Sequence, residues 1–112
     1  KSLEMYCRAI DYAQASHYPQ VKAKALIGIA ELNREQENLE TALLNHRDAI
    51  ELLEKIGAKC DLAEAYYQLG LTYQKMSNEK SYQQFQGSIR LFSEIEAPLQ
   101  VEKVRQAIER LA

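Results

Sequence analysis

Glycine and proline are scarce in this chain, four and two among 112 residues. A sandwich or barrel needs turn residues about every ten positions, so this scarcity, beside abundant Ala, Leu, Glu, Gln and Lys, argues against those folds and for helix nearly throughout. Charge of one sign is also lacking: 14 basic and 16 acidic side chains leave a net charge of -2, too balanced to grip nucleic acid or an anionic lipid surface, and neither is expected as a partner. No uninterrupted apolar run approaches the roughly 18 residues that a membrane-spanning helix needs. The opening Lys1-Ser2-Leu3-Glu4 lacks the charged-then-apolar order of a signal peptide, so a cytoplasmic protein is expected. The two cysteines, Cys7 and Cys60, have neither CxxC spacing nor a histidine at ligand distance along the chain. They are read as free thiols packed as small apolar residues, with no zinc site and no redox pair.

Catalytic motifs are missing as well. No nucleophile lies beside a base, and no glycine-rich phosphate loop, HExxH spacing or metal cluster appears, so the chain is read as a non-enzyme without cofactor or metal. His17, before the Tyr18-Pro19 turn, is read as a surface residue and His46 as a packed one.

What the chain does have is ordinary globular composition, 46% hydrophobic and 27% charged, enough for one core. It also has an internal repeat. Ala9-Ile10-Asp11-Tyr12, Ala49-Ile50-Glu51-Leu52 and Ser88-Ile89-Arg90-Leu91 superpose at offsets of 40 and then 39. The offset of 40 also carries Ala23, Ala25, Leu26, Ile29 and Ala30 onto Ala63, Ala65, Tyr66, Leu69 and Gly70. A repeat of this length signals stacked supersecondary units. Within each period apolar residues recur at three and four, which predicts helices over about 2–16, 20–35, 39–56, 61–76, 79–95 and 98–111. Asn38 and Asp61 are the expected N-caps, with Glu64 completing a capping box, and Pro19 and Pro98 open helices. Gly57 is the expected left-handed C-terminal cap. The small residues Ala9, Ala25, Ala30, Ala42, Ala49, Ala65, Gly70 and Ser88 mark expected close approaches between helices. Leu26, Ile29, Tyr66, Leu69, Phe85 and Leu91 are expected to fill the spaces between them.

At Tyr66, Leu69, Gly70 and Tyr73, followed by Ser81, Phe85 and Ser88, the chain resembles a tetratricopeptide repeat. Leu26, Ile29, Ala30, Asn33, Ala42, His46 and Ala49 stand in the same places one period earlier. The period is nearer 40 than the usual 34 or so, as in the longer-helix variety of the family. The resemblance implies an all-α, right-handed superhelical stack of antiparallel helix pairs, about six helices in one domain spanning 1–112. Segment 1–16 would be the second helix of a partial repeat, 20–56 and 61–95 two full repeats, and 98–111 a terminal or capping helix. The whole would be a piece of a longer repeat protein.

In such a stack the first helices line a concave groove. By the family's register the groove holds Lys24, Ile27, Glu31 and Arg34, then Tyr67, Leu71, Gln74 and Lys75, then Lys103, Gln106 and Arg110. The resemblance therefore implies a protein–protein interaction module that takes a peptide or protein partner there. Family members that clamp a terminal carboxylate use Lys and Asn where this chain has Ile27 and Glu31. The alternative reading is a structural spacer or homo-oligomerisation module, acting through exposed terminal helix faces at Leu3, Tyr6, Val104, Ile108 and Leu111.

Overall fold

The computed structural model describes residues 17–110. Among them are five helices and no strand: α1 (His17–Glu35), α2 (Leu39–Ile56), α3 (Lys59–Lys75), α4 (Lys80–Glu94) and α5 (Pro98–Glu109). The expected helix over 2–16, together with Leu3, Tyr6, Cys7, Ala9 and Leu111, lies outside the described residues. Each helix packs on its neighbours along the chain, and α1 also reaches α3. Side chains tie the contacts: Asn33 Nδ2 donates to Asn45 Oδ1 at 2.9 Å between α1 and α2, and Ser88 Oγ donates to the Ala63 carbonyl at 2.8 Å between α4 and α3.

All four turns are built alike. Glu37, Gly57, Ser77 and Glu96 have left-handed backbone, with φ of 67°, 72°, 54° and 57°. In each turn the next N–H, of Asn38, Ala58, Asn78 or Ala97, donates to the carbonyl five residues back, that of Asn33, Leu53, Tyr73 or Phe92, at 2.8–3.3 Å. This 6→1 bond satisfies a carbonyl that the end of a helix would otherwise leave orphaned. The left-handed residues stand 20, 20 and 19 positions apart, so the period of 40 in the sequence is made of two half-turn units of one geometry. Asn38, Ala58 and Ala97 are then at once the last bonded residue of one turn and the N-cap of the next helix.

Several local expectations are corrected. Asn38 is the α2 N-cap by position, but its side chain makes no capping bond. Asp61 is no cap: α3 starts at Lys59 with Ala58 before it, leaving Asp61 in the first turn, where its charge suits the helix's positive end. Glu64 makes no capping box and instead accepts from Gln68 Nε2 at 2.8 Å. Pro19 lies in the first turn of α1, where its missing N–H is one that has no helical partner anyway. Glu79 is the N-cap of α4 and makes no side-chain capping bond, but Asn78 before it accepts from the Lys80 N–H through Oδ1 at 2.8 Å. Cys60 is fully buried as expected, but it is disulfide-bonded rather than a free thiol.

The core runs through Ala23, Ala30, Ala42, Ala49, Leu53, Ala63, Ala65, Phe85, Phe92, Val104 and Ala107, none with any exposure. Gly70 is needed where it stands, since a Cβ there would lie 2.5 and 2.6 Å from two ring carbons of Phe85. Ala25 and Ile29 depart from expectation: both are exposed, Ile29 by 47%. Their counterparts one period on, Ala65 and Leu69, are buried. The physical reason is position, because α3 lies against α2, whereas nothing among the described residues occupies the same place on α1.

Candidate functional site

The residues assigned to a groove come from α1, α3 and α5, and side-chain contacts join these three helices directly. Lys24 of α1 lies 3.7 Å from the Asp61 carboxylate of α3. Arg34 of α1 donates through Nη1 to the Gln68 carbonyl at 3.2 Å and, more weakly, to Thr72 Oγ1 at 3.5 Å. On the other side of α3, Gln74 Nε2 donates to the Ala107 carbonyl at 3.3 Å, and Lys103 Nζ lies 3.5 Å from Glu64 and 4.5 Å from the centre of the Tyr67 ring. Ammonium-over-ring geometry at this distance is attractive. Lys75 lies 3.0 Å from Glu37, closing the far end. Arg110 and Gln74 also border an open depression of about 610 Å³ shared with Ser77, Asn78, Glu79, Ser81 and Tyr82.

The apolar centre is less open than the sequence implied. Ile27 and Tyr67 are only 7% and 9% exposed and belong to the core; Tyr67 packs on Phe85 at 6.0 Å between ring centroids. Leu71 and Gln74 are half-buried, as are Lys24, Glu31, Arg34 and Lys103, while Lys75, Gln106 and Arg110 are exposed. The reachable face is therefore polar and cationic around Leu71. Burial pushes the Tyr67 phenol above its usual range, the Glu64 carboxylate adds to the rise, and Arg110 and Arg34 oppose it. Both arginines thus act on one phenol from opposite flanking helices.

A polar chain beneath this face was invisible in the sequence. His46 of α2 has no exposure, and its Nε2 is 3.0 Å from Thr72 Oγ1. The Thr72 hydroxyl donates to the Gln68 carbonyl at 3.2 Å, so His46 donates through Nε2–H to Thr72. Its other nitrogen, Nδ1, has no hydrogen-bond partner. Burial first, and the Arg34 charge second, lower the His46 pKa from 6.5 to about 4. The imidazole is neutral at pH 7 and holds Thr72, which in turn helps hold Arg34. The only hint in the sequence was that His46 stands in an aromatic position of the second helix.

Among the described residues, no three His, Cys, Asp or Glu side chains converge as a metal site would require, and no helix is long and apolar enough to cross a membrane. No family model, no curated protein and no solved structure matches this chain.

Proposed function

We propose that this chain is a protein–protein interaction module of the tetratricopeptide type, whose helix pairs continue into a right-handed superhelical stack and whose first helices, α1, α3 and α5, present the face that takes a peptide or protein partner. The observation that carries the reading is the junction of these three non-consecutive helices by Lys24–Asp61, Arg34–Gln68, Lys103–Glu64 and Gln74–Ala107, in which Lys24, Arg34, Gln74 and Lys103 each reach a neighbouring helix of the three. Interfaces of this kind commonly derive most of their affinity from a few residues surrounded by a polar rim. Leu71 is the central half-buried apolar side chain, and Gln74, Lys75 and Gln106 form the rim. Selection from a displayed peptide library tests the idea. Peptides are expected that bind the chain and lose about tenfold or more on Leu71→Glu while circular dichroism stays unchanged. A library yielding only Leu71-independent binders would refute it.

A spacer or self-association role keeps one specific observation in its favour. Val21, Ile29 and Leu32 are 63%, 47% and 58% exposed along α1, with Leu44 59% exposed on α2. Of the terminal residues expected to serve this role, Val104 is core and Ile108 is half-buried, while Leu3, Tyr6 and Leu111 lie outside the described residues. Concentration-dependent light scattering that Ile29→Glu abolishes would favour this second role.

A further inference from the structure

The cations on the α1/α3/α5 face divide into two groups. Each lysine is neutralised by a carboxylate of a neighbouring element: Lys24 by Asp61, Lys75 by Glu37 and Lys103 by Glu64, at 3.7, 3.0 and 3.5 Å. Neither arginine pairs with a carboxylate among the described residues. Among the described residues Arg34 bonds through Nη1 alone, to the Gln68 carbonyl and Thr72 Oγ1, which fixes the guanidinium and leaves Nη2 and Nε as further donors. Arg110 makes no ion pair among the described residues and stands at the rim of the depression next to Gln74. It follows Lys103 by seven residues, at the C-cap of α5, about two turns further along the side that carries the lysine over Tyr67. The two guanidinium groups, one fixed on α3 and one beside Gln74 of α3, both act on the charge of the Tyr67 phenol.

We propose that Arg34 and Arg110 receive the carboxylates of an acidic peptide segment on this face, an inference that rests on the interaction role above and names the chemistry of its partner. An arginine fork with unused N–H donors matches a carboxylate bidentately, and Arg34 is pre-positioned, so little side-chain freedom is lost on binding. Charge complementarity is local rather than global. The whole chain carries -2 and repels a polyanion, so attraction can come only from cations that the fold has left without an acidic partner.

The test is fluorescence anisotropy on the full chain at low salt, with labelled hexaglutamate and, as the uncharged probe, labelled hexaglutamine. Hexaglutamate is expected to bind and hexaglutamine to fail. Arg34→Gln and Arg110→Gln should each weaken hexaglutamate about tenfold without loss of helicity, while Lys80→Gln, an exposed lysine opening α4, should leave it unchanged. No hexaglutamate binding, or equal losses for Lys80→Gln and the two arginine variants, overturns the proposal. Library peptides that need Leu71 yet tolerate both arginine variants would overturn it too, while leaving the interaction role standing. A library without Leu71-dependent binders would remove both.

Discussion

Two glycines inside helices are expected to respond to the same substitution with opposite signs. Alanine is worth about 1 kcal/mol more than glycine within a helix. At Gly28 of α1 an added Cβ meets nothing within 4 Å, so Gly28→Ala should gain most of that. At Gly70 of α3 the same methyl falls 2.5 and 2.6 Å from Phe85 ring carbons, distances at which something must move, and the Phe85 ring, with no exposure, has no room to move. Overpacking of this kind costs about 1–3 kcal/mol, and contacts this close belong at the upper end. After the helical gain is subtracted, Gly70→Ala should lose about 2 kcal/mol, so the two variants should differ by about 3 kcal/mol. Urea denaturation followed by circular dichroism measures both. Repeating Gly70→Ala in a Phe85→Leu background isolates the clash, and the penalty should shrink by about 1 kcal/mol or more in that double-mutant cycle. A Gly70→Ala protein as stable as the parent, or a penalty unaffected by Phe85→Leu, would refute the packing argument.

Acid should destabilise the fold through His46. Its folded pKa of about 4 lies below the unfolded 6.5, so the contribution is complete above pH 6.5 and is lost as pH falls from 6.5 through 4. The difference amounts to about 3 kcal/mol, visible as a lower urea midpoint at pH 4.5 than at pH 7.5, and His46→Phe should flatten that part of the profile. The turns supply another expectation. A residue with a Cβ costs about 1–2 kcal/mol in left-handed backbone, so Ser77→Gly and Glu96→Gly should each raise stability by about 1 kcal/mol, while Gly57→Ala lowers it by a similar amount. Thermal melts of the three variants would show it, and a uniform sign across them would contradict the geometry.

The helices were legible because apolar side chains at three and four can lie on one face only if the chain is helical there. Gly57 was legible for the same kind of reason, since glycine advertises left-handed backbone. Glu37, Ser77 and Glu96 adopt that conformation without the residue that announces it, held by the bond to the carbonyl five positions back, so three of the four turns left no trace in composition. Ala25 and Ile29 misled because the repeat records what a position buries when a neighbouring hairpin covers it: Ala65 and Leu69 are buried on α3, a helix packed against both α2 and α4. Which cations of α1, α3 and α5 meet a carboxylate could not be read in advance. Whether Lys24 meets Asp61, or Lys103 meets Glu64, depends on how far apart two helices lie, and a linear order of residues does not contain that distance.

Turns in which a single residue both ends one helix and starts the next have no slack. An extra residue inside α1, α2 or α4 cannot be absorbed at the following junction, and it would swing every later side chain about 100° around its axis, carrying core alanines to the outside. Tolerated length changes should therefore come as whole helical units rather than as single insertions, so the architecture grows or shrinks by modules.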